Sequence, residues 1–103
     1  MTKRVRSNWQ GALLVCRKCS KKLDGGFGPD RDERLAKRLR RLLGKGRKAR
    51  LGVVEVDCLK ICPKRAVALV DSRTPGRWHV VDAGSDTDRL LEALDAAAAP
   101  PQA

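Results

Sequence analysis

The sequence predicts an α/β domain: a sheet of about four strands packed with two main helices. Two observations carry this. Apolar runs rich in Leu, Val and Ala recur at residues 11–15, 53–56, 66–70 and 78–81, and such short runs bounded by turn residues read as strands. Between the first two, and again near the end of the chain, leucines recur at helical spacing instead. The predicted order is β, α, β, cysteine loop, β, β, α. The chain divides into a basic tail over residues 1–10, one domain over 11–99 and a short tail over 100–103. A chain of 103 residues holds one modest core.

The first strand, residues 11–15, ends at Cys16. Gly25, Gly26, Gly28 and Pro29 then predict an irregular loop, read as a flexible cover over the cysteines. Asp30 and Glu33 have capping-box spacing and predict a helix start. Leu35, Leu39, Leu42 and Leu43 form its apolar stripe, with Arg34, Lys37, Arg38 and Arg41 off it, and Gly44 stops it. Residues 53–56 are β-branched apart from Glu55 and lead into a second cysteine loop. Residues 66–70 and 78–81 read as a hairpin around Thr74-Pro75-Gly76-Arg77, which suits a type II turn. Ser85 and Asp88 repeat the capping spacing before Leu90, Leu91 and Leu94, and Pro100-Pro101 prevents extension of that helix.

The formal net charge is +11, unevenly placed. Residues 1–50 carry 17 Lys and Arg against 4 acids, and residues 51–103 carry 6 against 8. Such polarity suits an acidic partner. A solvated face is the bland reading of the cationic helix. Nucleic acid is the less favoured partner, because single-strand binders use aromatic platforms and only Trp9, Phe27 and Trp78 exist. No stretch approaches the roughly 20 apolar residues of a membrane span. The apolar run at 12–15 is too short for a signal-peptide core. The chain therefore reads as cytoplasmic, where regularly spaced cysteines point to metal or redox chemistry before disulfides.

All four cysteines fall in two close pairs, Cys16-Arg-Lys-Cys19 and Cys58-Leu-Lys-Ile-Cys62, each just after a predicted strand. Neighbouring strands would bring both loops to one sheet edge, as four ligands of one centre require. Thiolates are soft donors suited to zinc and iron–sulfur centres. The pairs stand 38 residues apart with a whole helix between them, whereas zinc-ribbon knuckles are joined by about 15–20 residues. Arg17, Lys18, Lys21, Lys22, Lys60, Lys64 and Arg65 lie in or beside the loops and would offset an anionic centre, whichever metal it held. A redox dithiol at Cys16 and Cys19 is less favoured, since a Gly-rich loop rather than a helix is predicted after it. His79 is the only histidine, so a Rieske centre is excluded. It reads as a strand side chain. No catalytic triad or paired-carboxylate set can be assembled, which predicts a protein without substrate chemistry of its own, not an enzyme.

The layout Leu13-Leu-Val-Cys16, then Val56-Asp-Cys58-Leu-Lys-Ile-Cys62-Pro63, resembles the thioredoxin-like [2Fe–2S] ferredoxin family, which includes the small Fe–S subunit of respiratory complex I. The first pair is more narrowly spaced here than is usual in that family. The resemblance spans roughly residues 11–98 in element order. It implies a thioredoxin-like fold, one [2Fe–2S] cluster on Cys16, Cys19, Cys58 and Cys62, an electron-transfer role with an acidic redox protein as partner, and a homodimer. The alternative is a zinc-stabilised basic module binding nucleic acid or an acidic protein.

Overall fold

The computed structural model describes residues 3–44, 46–61 and 63–98; Cys62 lies outside them. The class is α/β. A four-stranded mixed sheet is built from β1 (Ala12–Cys16), β2 (Gly52–Val56), β3 (Ala66–Asp71) and β4 (Trp78–Asp82), in the order β2-β1-β3-β4. β1 and β2 run parallel, with Cys16 opposite Val56. β3 is antiparallel to both β1 and β4. Three helices accompany the sheet rather than two: α1 (Arg17–Leu23), α2 (Leu35–Leu43) and α3 (Thr87–Ala98). Among the described residues no helix is long and apolar enough to cross a membrane.

Strand alternation sorts the core. Leu13, Val15, Val67, Leu69 and Val81 share one face by register, are buried, and cluster with Leu35, Leu39, Leu91 and Leu94 of α2 and α3. The other face carries Cys16, Ala66 and Ala68, and α1 packs against β1 and β3. β3 is buried along its whole length, as expected for an interior strand covered on both sides. Trp78 and Val80, on the edge strand β4, are about half exposed.

Five local expectations are corrected. The segment after Cys16 is helical at once, so α1 adds a third helix to the two predicted. The Gly-rich segment is not a flexible cover. Phe27 is fully buried in the core, its backbone pairs both ways with Glu33, and Gly84 N–H donates to the Gly26 carbonyl at 2.7 Å. That pairing holds Glu33 in extended backbone, so α2 starts at Leu35 and the Asp30/Glu33 capping box does not form. The Glu33 carboxylate instead meets Arg41 at 2.9 Å. At α3 the cap is Asp86, whose Oδ1 accepts from the N–H groups of Asp88 and Arg89, while the Ser85 hydroxyl donates to the Asp82 carbonyl. In the hairpin Arg77 N–H donates to the Thr74 carbonyl, but Gly76 keeps a negative-side φ, so the turn is not type II. Gly44 does close α2, with φ +97°.

One ionic chain links elements distant in sequence. The fully buried Asp71 carboxylate accepts from Arg73 Nε and Nη2, Arg73 Nη1 reaches Asp95 at 2.9 Å, and Asp95 is gripped by both Arg50 terminal nitrogens. The Asp95 carboxyl is held below the usual carboxylate range, chiefly by its bonds to Arg50 and, against opposing burial, by Arg73.

Two outcomes are expected. Phe27→Ala should cost about 3–5 kcal/mol in a urea titration, as for other core aromatic truncations. Because folding lowers the Asp95 pKa, its stabilisation is present above the unfolded carboxylate value, near pH 4, and is lost as pH falls through the folded one. Melting temperatures of wild type and Asp95→Asn should therefore differ at pH 7 and converge as pH drops below about 4; a constant difference would show that the pair is not what the carboxylate contributes.

Candidate metal centre

The parallel register of β1 and β2 brings the two cysteine loops together. Cys16 is the last residue of β1 and the N-cap of α1, and Cys19 lies in the first turn of that helix. Cys58 follows β2 by two residues. The start of β3 arrives at the same sheet end, because β3 runs antiparallel to β1. Cys16, Cys19 and Cys58 all line one cavity of about 30 Å³, with Lys18, Lys22, Leu23, Ile61, Pro63 and Ala66. Cys16 and Cys19 are buried and Cys58 is exposed, so the cavity has an inner and an outer sulfur side.

The second cysteine loop is tied to the first. Lys18 N–H donates to the Asp57 carbonyl at 3.2 Å, and the Cys19 thiol lies 3.6 Å from the Ile61 carbonyl. Lys60, at φ +62°, turns its N–H onto Cys58 Sγ at 3.2 Å. Buried Ser20 donates its hydroxyl to the Cys16 carbonyl at 2.9 Å, which fixes the start of α1. Arg17 pairs with Asp57 at 2.9 Å across the same junction.

The Cys16 thiol is shifted toward the thiolate. Burial opposes this, but the N–H groups of Cys19, Leu59 and Lys18 and the Cys19 thiol outweigh it.

Of the cations expected around the centre, Lys18 and Lys22 line the cavity, whereas Lys60 and Lys64 do not. The Gly-rich loop is also absent from the lining. Cys62 lies outside the described residues, and among those residues no group of three or more His, Cys, Asp or Glu is arranged to hold a metal ion. His79 lies in β4, away from the cavity lining, with its Nε2 buried and unpartnered among the described residues. The donor set nevertheless fits a soft-metal centre in kind: sulfur converges from two loops, and backbone N–H groups favour the charged form of Cys16. Comparison of the chain with family models, characterised proteins and solved structures gives no significant match.

Accessibility in the metal-free, reduced protein follows from this layout. Cys58 should be alkylated by iodoacetamide well over about tenfold faster than Cys16, because exposure as well as thiolate content governs attack. Mass-spectrometric mapping over a time course checks the order, and equal rates would show that the first loop is open in solution.

Proposed function

We propose that the protein is a small electron-transfer protein of ferredoxin type, with one [2Fe–2S] cluster on Cys16, Cys19, Cys58 and Cys62. The observation that carries this reading is the convergence of Cys16, Cys19 and Cys58, from loops 38 residues apart, on one cavity. Cys62 enters as the fourth thiolate on its sequence spacing. The strand order β2-β1-β3-β4, with its parallel pair first and its antiparallel hairpin last, supports the thioredoxin-like resemblance.

When bound, such a cluster accepts and returns one electron, moving between net charges of about −2 and −3. The chain's own residues set the terms. Lys18 and Lys22 stand where they offset the added charge. Leu23, Ile61 and Ala66 exclude water from the inner side. Cys58 is the exposed edge, through which an acidic redox protein attracted by these lysines would exchange the electron.

One observation favours a second reading. α1 begins directly after Cys16, so Cys16-Arg-Lys-Cys19 has the strand–helix setting of a redox dithiol. That reading assigns no role to Cys58 or Cys62.

Anaerobically purified protein should contain about two irons and two acid-labile sulfides per chain, and Cys58→Ser should abolish the visible absorption. One zinc and no sulfide in protein from iron-replete cells would sink the cluster. A normal thiol–disulfide potential in Cys58→Ser, with no iron in wild type, would establish the dithiol instead. In the loaded protein, Lys18→Gln with Lys22→Gln should lower the reduction potential, since a nearby cation stabilises the added electron; spectroelectrochemistry reads the sign.

A further inference from the structure

The opposite end of the sheet carries a second feature, built by the N-terminal segment. Asn8 and Gln10 N–H groups donate to the Arg47 and Arg50 carbonyls, each at 2.6 Å. Trp9 Nε1–H donates to the Gly46 carbonyl at 2.8 Å. The indole lies so close over Gly52 that a Cβ there would clash with the ring. Main-chain bonds and this one close approach therefore pin residues 8–10 along the segment that enters β2.

The pin arranges Arg6, Ser7, Asn8, Arg47 and Lys48 around an open cleft of about 530 Å³. None of its three cations pairs with a described carboxylate, and neither do Lys3 and Arg4 just before it. The neighbouring arginines differ: Arg40, Arg41 and Arg50 are engaged by Glu55, Glu33 and Asp95. Trp9, next in the chain to Asn8, lines the neighbouring cavity over Gly46 and Gly52 and keeps 39% of its surface exposed.

We propose that this cleft binds the phosphate backbone of single-stranded nucleic acid without sequence preference, with Trp9 offering a stacking surface at its edge. A protein partner is the poorer fit. Protein–protein interfaces deplete lysine and centre their anchors in well-packed, desolvated pockets. This cleft is open and lined by cations and small polar groups, the make-up of a backbone-tracking groove. An arginine fork and a lysine suit phosphate oxygens, and unpaired cations keep their full field. The site is independent of the cysteine reading. The five residues of β1 hold it about 16 Å from the cavity end, beyond the screening length of about 8–10 Å at moderate salt.

The test is fluorescence anisotropy of a labelled mixed-sequence single strand with the full-length protein as purified. Wild type should bind, with affinity falling steeply between about 50 and 200 mM salt. Arg6→Gln, Arg47→Gln and Lys48→Gln combined should weaken binding at least about tenfold at low salt and reduce the slope of log K against log salt by about 2, near 0.7 per lost contact. The pin uses the main-chain carbonyls of Arg47 and Lys48 and none of the three substituted side chains, so the variant should keep the wild-type circular dichroism. Lys18→Gln with Lys22→Gln, at the far end, should bind as wild type. In a Trp78→Phe background the strand should quench Trp9 fluorescence. Wild-type affinity in the triple variant would overturn the proposal. So would equal weakening by the far-end pair, which would mean binding by net charge alone. Displacement by polyglutamate as effective, charge for charge, as by unlabelled strand would reassign the cleft to acidic proteins.

Discussion

The parallel pairing of β1 with β2 is the constraint on which the rest depends. Parallel strands put their starts together at one sheet end and their finishes together at the other. With Ala12 opposite Gly52 and Cys16 opposite Val56, the two cysteine loops have to meet, and so do the two basic segments that lead in. A register slip of one residue would send Leu13 and Val15 out of the core and turn Cys16 to the other face. Burial of those two side chains therefore also specifies which loops share an end. β3 reinforces the arrangement, since its antiparallel entry places Pro63 and Ala66 at the cysteine end without a further crossover.

Much of this frame was legible in the amino-acid order. The strand runs are short, apolar and bounded by turn residues, and the leucine stripe of α2 and its Gly44 stop follow local rules. What escaped depends on tertiary competition. Arg17–Leu23 has too few apolar residues to show a stripe; it is helical because Cys16, Cys19 and Ser20 bury against β3 and the second loop. Phe27 looked like part of a loose Gly-rich loop because its neighbours are permissive. Once a lone large aromatic takes a place in the core, those glycines are what let the chain turn around it, and Gly25, Gly26 and Gly28 all take positive φ. The lost capping box at Asp30 and Glu33 is the same event seen from the other side, since a backbone that pairs with Phe27 cannot begin a helix. At the candidate site, convergence of three cysteines could be inferred from strand adjacency. The choice of Lys18 and Lys22 over Lys60 and Lys64 could not, because it depends on the helical turn that sets Lys18 and Lys22 on one side of α1.

The charges divide by the same geometry. Arg73 and Arg50 are drawn into the chain with Asp71 and Asp95, and Arg40 and Arg41 are engaged at Glu55 and Glu33. Arg40, Arg41 and Arg50 come from the positive half of the sequence, whereas Arg73 comes from the other, so folding consumes part of the charge excess internally. The fully buried Asp71 shows the cost of that arrangement. A lone carboxylate there would be strongly destabilising, and its tolerance depends on the fork from Arg73. Such a pair adds less net stability than its bonds suggest. It does discriminate: only one approach of the β3–β4 hairpin to α3 and to residue 50 satisfies all four groups.

Among the cations without a described carboxylate partner, one group stands at each sheet end. At one end they flank sulfur, where a buried anionic centre would need them. At the other they line a cleft where no described carboxylate pairs with them, next to the Trp9 contact on Gly52. The two sets face different chemistry because β1 separates them by more than a screening length. Each end can hold its own anion without the two repelling each other appreciably. Were β1 and β2 antiparallel, one cysteine loop and one basic segment would lie together at each end, and neither the convergence of Cys16, Cys19 and Cys58 nor a continuous basic cleft could be assembled.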